Sequence, residues 1–488
     1  GSSPPSCTKT MNKKTFKPSS DLPAGFVDRQ EEELLIRDLL ISNIKKTMSK
    51  YGFQYLETPS FEYTDSIGKF LPDKDRPSEG VFSFEDEKKW LSLRYDLTAP
   101  LARYSAKNFD SIPKPFKRYQ LGTVWRNEKP GPGRYREFLQ FDADYIGTSN
   151  LFSDAELCFL ISEILNSCGL EKKEFVIKIS NRKLTKGLLE ELNITDEQKQ
   201  SITLRAIDKL DRVGIEGVQY LLGKGRKDKS GDFTKGAELE ENQIKQIINF
   251  LSIKDLSENN FEKIKKMSEN NKTMQAGIDE LALMKKYFSL FNFKNYIFDP
   301  TVVRGLEYYT GPIFEANLTF GVTNNKGQEI EFGSIGGGGR YDDLVKRFNN
   351  QECPATGISV GLDRLIYAII QKNKIKVEKS IPVLICVFDE KYMDFYMKIL
   401  NLLRSKNISS EIYSGSSNIK SQFKYADKRG CKYVILCGED EIQKNLITIK
   451  NLSIGKQVSE NLKDRDDWKQ SAEAQKTVPF DQLLNEIK

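Results

Sequence analysis

The stretch KPFKRYQLGTVWRNEKPGPGRYREFLQFDADYIG, residues 114–147, holds two alternating apolar and polar runs separated by a Gly/Pro loop at 129–133. Alternation of period two sends successive side chains to opposite faces of a strand, and a short Gly/Pro connection joins two such runs as a hairpin. The pattern predicts a long antiparallel hairpin.

Upstream, Ile36, Leu40, Ile44, Met48 and Tyr51 recur at the spacing of an amphipathic helix, which Gly52 stops. A helix this apolar needs a surface to cover it. An extended segment broken at Pro59 follows, and residues 82–104 read as a hairpin running into a helix. Downstream come a helix at about 153–168 and a strand at 174–180. Residues 183–275 are helical, polar and rich in Lys, Glu and Asn, with a basic, flexible piece at 223–236. Another helix at about 278–291 leads to strand character in YIFDPTVVRGLEYY (296–309) and EIEFGSIGGGGRYDDLV (329–345), then a helix from about Leu362. Beyond about residue 376 strands alternate with helices, the pattern of a small α/β domain with a mixed sheet.

The chain of 488 residues is long for one core, and 38% hydrophobic with 30% charged residues suits a globular protein. Its 75 basic and 69 acidic residues leave a net charge of +6, which permits a nucleic-acid partner without requiring one. No apolar run is long enough to span a bilayer and no secretory signal opens the chain, so no membrane association is expected. Seven scattered cysteines form no CxxC pair, which argues against a zinc site or a disulfide framework and for a reducing cytoplasm. No GxxxxGK[ST] motif occurs, so no nucleotide is held by a P-loop.

The chain contains no histidine. Ser-His-Asp and Cys-His nucleophile systems are excluded, as are His-ligated metals, and few groups are expected to titrate between pH 6 and 8. The chemistry is left to carboxylates, arginines, tyrosines and backbone dipoles.

Four segments stand out together: WRNE (125–128), RYREFLQFDAD (134–144), RGLEYYTG (304–311), and GGGGRYDDLV (336–345) with GISVGLDRL (357–365). They resemble the motifs of class II aminoacyl-tRNA synthetases, and the tyrosine-pair and tetraglycine segments resemble the histidyl-tRNA synthetase family, in a divergent bacterial-type branch. The resemblance implies an α+β fold with an antiparallel sheet core and flanking helices. It divides the chain into a disordered extension or cloning remnant (1–20), a first catalytic part (21–182), an inserted helical subdomain (183–275), a second catalytic part (276–375) and an α/β anticodon-binding domain (376–488). It implies ATP-dependent activation of L-histidine, with Mg2+, followed by transfer to histidine tRNA, in a cytoplasmic homodimer formed through the first helix and the strand at Pro59. A histidine-sensing regulatory paralogue is the alternative. Such proteins typically lose the C-terminal domain and the catalytic arginines, and this chain keeps both.

The same resemblance implies the residue roles. Arg126 and Arg304 are the catalytic cations, Arg126 on the α-phosphate and carboxylate and Arg304 where other class II enzymes place a metal ion. No metal is assigned to protein side chains. Glu128 reads the adenine edge, Phe138 and Arg364 sandwich the adenine, and Arg134 reaches the distal phosphates. Asp96, Thr98 and Gln140 lie near the α-amino group. Asp144 and Tyr309 bond the two imidazole nitrogens, with Tyr308, Tyr341, Gly336 and Gly337 completing the pocket. These types suit the reaction. Arginine keeps its charge and presents a planar fork to phosphate oxygens, and an acceptor opposite a hydroxyl matches a neutral imidazole. The chain departs from the common family pattern at Asn127, where many members carry histidine, and in its KPGPGR loop (129–134).

Overall fold

The computed structural model describes residues 18–68, 80–227, 233–253, 258–267, 271–303, 309–324, 326–372, 375–377, 379–453 and 475–487. The chain divides between residues 377 and 378 into two compact units.

The first unit is built on an eight-stranded sheet. Its strands are β1 (Gln54–Tyr55), β5 (Phe116–Trp125), β6 (Glu137–Ile146), β7 (Phe175–Asn181), β10 (Tyr296–Phe298), β11 (Pro312–Leu318), β14 (Ser334–Arg340) and β15 (Ala355–Gly361), in the order β1-β5-β6-β15-β14-β11-β7-β10. Every pairing from β5 to β7 is antiparallel, and only the outermost strands, β1 on β5 and β10 on β7, run parallel. The hairpin read from residues 114–147 is β5 and β6, paired from Phe116 opposite Ile146 to Trp125 opposite Glu137. The tetraglycine forms most of β14, between β11 and β15. A bare glycine strand fits here because a Cβ on Gly338 would stand 1.9 Å from the Gly357 carbonyl oxygen.

The helix Glu31–Lys50 carries Ile36, Leu40, Ile44 and Met48 on its buried face. These side chains share one core with Phe141 and Tyr145 of β6 and with Leu157, Ile161, Ile164 and Leu165 of the helix Phe152–Ser167. The Asn43 amide donates to the Ser167 carbonyl at 2.9 Å and the Tyr51 hydroxyl to Glu163 at 2.7 Å, locking the two helices together. The apolar stripe is therefore covered by its own chain. Aromatic surface is exposed elsewhere, on the three-stranded sheet of β2 (Phe61–Tyr63), β4 (Lys89–Leu93) and β3 (Ser83–Asp86), in that order. The pairings Phe61 with Leu93, Tyr63 with Leu91 and Phe84 with Leu91 put these five on one face. Phe61, Tyr63 and Phe84 are 51%, 50% and 43% exposed.

Between β7 and β10 the chain is almost wholly helical: Arg182–Glu191, Glu197–Asp208, Leu210–Leu222, Glu241–Leu251, Glu258–Met267 and Lys272–Leu290. Their buried residues, among them Leu184, Leu204, Phe250 and Met284, are continuous with the core of the sheet. The last of these helices runs across residue 275. The basic piece read as flexible is ordered at both ends, where β8 (Gly225–Lys227) pairs antiparallel with β9 (Phe233–Lys235); residues 228–232 lie outside the described set. A short pair, β12 (Gly321–Thr323) and β13 (Glu329–Glu331), completes the unit.

The second unit is a five-stranded mixed sheet of β16 (Val383–Ile385), β17 (Ser410–Ile412), β18 (Tyr433–Leu436), β19 (Leu446–Asn451) and β20 (Gln475–Pro479), ordered β17-β16-β18-β19-β20. The first three strands pair in parallel through crossover helices Met393–Ser405 and Ile419–Arg429, and the last two antiparallel. The second helix is bounded by an Asn418 cap on the Ser421 amide and by Gly430 at φ 74°.

Candidate active site

The hairpin register builds the site. Arg118 stands opposite Asp144, Gln120 opposite Asp142, Gly122 opposite Gln140, and Val124 opposite Phe138. Directly opposed residues of an antiparallel pair share a face, so Gln140, Asp142 and Asp144 project from β6 on the side where Arg118 sits on β5. On β15, Gly357 lies opposite Asp144 and Ser359 opposite Asp142; on β14, Gly339 lies opposite Gly357 and Gly337 opposite Ser359. One row across the sheet therefore reads Arg118, Asp144, Gly357, Gly339.

The two glycines make room in that row for neighbouring side chains. A Cβ on Gly357 would meet Asp144 Oδ1 at 1.9 Å, and one on Gly339 would meet the Tyr309 ring at 3.1 Å. The Asp144 carboxylate thus lies over Gly357 and the Tyr309 ring over Gly339, in space that a side chain on either strand would fill. Gly337 belongs to the neighbouring row, beside Ser359 and Asp142, whereas Gly336 pairs with Val360 on the opposite face.

Asp144 is buried, and the Tyr341 hydroxyl donates to its Oδ1. Its Oδ2 lies 3.4 Å from Arg118 Nη2 and is a buried acceptor without a hydrogen bond. Burial raises the Asp144 pKa, opposed by the Arg118 charge and the Tyr341 bond. Asp142 accepts from Gln140 Nε2 at 2.9 Å and from the Thr98 hydroxyl at 3.4 Å. Burial, reinforced by the neighbouring Asp144 charge, pushes it up to about 7. Asp96 accepts from the Ala99 amide at 3.0 Å at the start of the helix Thr98–Lys107, and burial raises its pKa as well. The missing histidines had pointed to few groups titrating near neutrality. Asp142, and Asp154 at about 6, supply them by burial instead.

Further along the hairpin the charge changes sign. Arg126 donates from Nε to the Tyr95 carbonyl at 3.1 Å and from Nη2 to the Gln140 side-chain oxygen at 3.3 Å. Its guanidinium lies 4.5 Å from the centre of the Tyr95 ring and 5.2 Å from that of Phe138. The Tyr95 hydroxyl donates to Glu128 at 3.2 Å. Thr98, Asp142, Gln140 and Arg126 therefore form one continuous polar chain.

Arg364 opens the helix Leu362–Gln371. It donates to the Ser334 and Phe332 carbonyls at 3.0 and 2.6 Å, with its guanidinium 4.3 Å from the centre of the Phe332 ring. Its neighbour Asp363 ties that helix to β6, accepting the Leu139 amide at 2.5 Å, and to Arg29 at 2.6 Å. The hairpin tip folds over this point. A Cβ on Gly133, at φ +62°, would touch Arg364 Cα at 3.3 Å and the Phe332 ring at 3.2 Å, so Arg134 follows immediately. Arg304 and Tyr308 lie outside the described residues.

Asp142 and Arg118 are missing from the residues singled out in the sequence. The signal was there: the alternation that puts Gln140 and Asp144 on one face places Asp142 between them, and the hairpin register brings Arg118 opposite. Cations at one end and carboxylates at the other suit phosphates at the first and an ammonium or ring N–H at the second.

Residues 25–365 match the family described as histidyl-tRNA synthetase, and residues 382–488 match an anticodon binding domain. The histidine–tRNA ligase of Bartonella henselae is 46% identical over 486 residues, covering 98% of this chain and 98% of its own. That of Brucella ovis is 45% identical over 98% of this chain and 97% of its own. The crystal structure of histidyl-tRNA synthetase from Nostoc sp. PCC 7120 superposes with a TM-score of 0.67 at 25% identity, over 96% of this chain and 99% of that one.

Proposed function

The chain belongs to the histidyl-tRNA synthetase family, and from that premise we propose how the residues gathered on its sheet divide the work. It is an ATP-dependent histidine–tRNA ligase. The histidine carboxylate attacks the α-phosphorus of ATP, an O–P bond forms, and the bond to the β-phosphate breaks as pyrophosphate leaves. The histidyl group then passes from the adenylate to the 3′ end of histidine tRNA, and AMP leaves. Full-length similarity to curated ligases carries this over the regulatory alternative.

The attacking carboxylate is already ionised, so the reaction needs position and charge rather than a base. Arg126 is the cation for the carboxylate and α-phosphate. Glu128 takes the adenine edge, Phe138 and Arg364 its faces, and Arg134 the distal phosphates. Mg2+ enters as the counter-ion of ATP. Arg304 and Tyr308 keep the roles that the resemblance gives them.

Asp96, Thr98 and Gln140 receive the α-ammonium group, and Asp144 and Tyr309 the imidazole, beside Tyr341 and Gly337. The observation that carries this is the buried Asp144 Oδ2, which accepts no hydrogen bond and has the Arg118 guanidinium 3.4 Å away. A buried acceptor without a hydrogen bond costs about 1–3 kcal/mol, and a ring N–H supplies the missing bond. Replacing Asp144 with Asn tests it. KM for histidine rises about tenfold or more while KM for ATP stays within about twofold. Equal change in both, or none in the first, removes Asp144 from the imidazole site.

The second unit takes the anticodon stem-loop, on the strength of its family match. The homodimer forms through the aromatic face of the small sheet, whose exposed Phe61, Tyr63 and Phe84 are better buried. Sedimentation at micromolar concentration shows twice the 55.9 kDa chain mass; a monomer there contradicts it. The compartment is the cytoplasm, supported by six cysteines among the described residues that are free and buried.

A further inference from the structure

Arg118 is wholly buried, at 0% exposure, on β5, the second strand of the sheet. A guanidinium is placed so only where something needs its charge, since desolvating it costs several kcal/mol. Its Nη2 donates to the Leu97 carbonyl at 2.7 Å and lies 3.4 Å from Asp144 Oδ2, while its Nε has no hydrogen-bond partner. Asp142 and Asp144 stand two residues apart on one face of β6, roughly 7 Å along the strand. Two buried carboxylates this close do not both ionise freely, and a cation beside one of them decides which does.

We propose that Arg118 is a positioning residue for histidine recognition: it holds the Asp144 carboxylate ionised and fixed against its neighbour Asp142, so that Asp144 accepts the ring N–H of histidine.

The ladder supports the choice of Asp144. Arg118 is directly opposite Asp144 and two residues out of step with Asp142, which faces Gln120 instead. The other charged or titratable groups acting on the pair come from separate elements. Asp96 precedes the helix Thr98–Lys107, and Tyr341 follows β14. Arg94, after β4, interacts with both Asp142 and Arg118, and Arg126, at the end of β5, acts on Asp96. None of these stands opposite Asp144 in the ladder. Among the charges that oppose burial at Asp144, Arg118 comes first.

The role acts through Asp144, so it rests on the reading of that residue given above. The test compares the full chain with its R118Q, R118K and D142N variants in histidine-dependent pyrophosphate exchange, from about pH 5.5 to 8.5. R118Q raises KM for histidine about tenfold, leaves KM for ATP within about twofold, and moves the acidic limb of kcat/KM for histidine up by about one pH unit. R118K keeps the cation and restores the limb. D142N removes the competing charge and moves it down. A folded R118Q with an unmoved limb, or with both KM values rising together, overturns the proposal. Should R118Q not fold, a limb in R118K displaced as far as about one pH unit, or one in D142N that stays put, does the same. The D144N variant separates the two readings. If it leaves KM for histidine unchanged, the role of Asp144 fails; if it raises KM while R118Q behaves as the parent, only that of Arg118 fails.

Discussion

Arg126→Ala lowers histidine-dependent pyrophosphate exchange by about a hundredfold or more, a loss of roughly 2.7–4 kcal/mol of transition-state stabilisation. The size follows from how firmly this side chain is held. Bonds to the Tyr95 carbonyl and Gln140, with the Tyr95 and Phe138 rings close by, fix the guanidinium before substrate arrives. Charge preorganised in this way needs no rearrangement as negative charge shifts on the phosphates. Truncation also frees the Gln140 side chain, whose other end donates to Asp142, so KM for histidine rises together with the fall in kcat. Arg126→Lys recovers little, because an ammonium replaces a planar fork with a point charge. tRNA binding is unchanged within about threefold, since phosphate contacts to tRNA are spread over many residues. A loss in exchange of under about threefold places the reacting phosphate elsewhere.

Arg340→Leu produces the largest loss of stability, about 3–5 kcal/mol, because it strands a buried charge. Arg340 ends β14, pairs with the fully buried Asp154 and donates to the Thr148 carbonyl at 2.9 Å. Burial lifts Asp154 to about 6, with Arg340 the main group holding it down. The linkage has a definite sign. A carboxylate whose folded pKa lies above its unfolded value of about 3.9 binds more protons when folded, so its contribution to stability falls as pH rises. Losing Arg340 raises the folded value further. The destabilisation is then greatest at neutral pH and shrinks as the medium is acidified through about pH 6 towards 5. Urea unfolding of R340L across this range measures it, and R340L with D154N regains most of the loss. A pH-independent loss, or none, contradicts the ion-pair account.

Much of this architecture is legible in the residues, and the reasons differ by element. The hairpin at Phe116–Ile146 shows itself because two alternating runs are joined by a short Gly/Pro connection. β14 is harder, since glycines carry no hydrophobic pattern; only the close approach of the flanking β11 and β15 backbones explains four in a row. The parallel partners β1 and β10 come from distant parts of the chain, and nothing local announces them. The stripe Ile36, Leu40, Ile44, Met48 was correctly periodic, yet periodicity does not say whose surface covers it. In the site, the motifs led to Asp96, Arg126, Gln140, Asp144 and Arg364. Arg118 and Asp142 carry no motif of their own and emerge from cross-strand register. The titration of Asp142 was hidden for a further reason: composition counts imidazoles, whereas burial pushes this aspartate up to about 7.

The most direct test of the whole account is ATP–pyrophosphate exchange by the intact chain with each amino acid in turn. The account predicts exchange with histidine, none with the others above background, and transfer of the histidyl group to tRNA once histidine tRNA is added. Histidine binding without any exchange would contradict it and make the chain a sensor rather than a ligase.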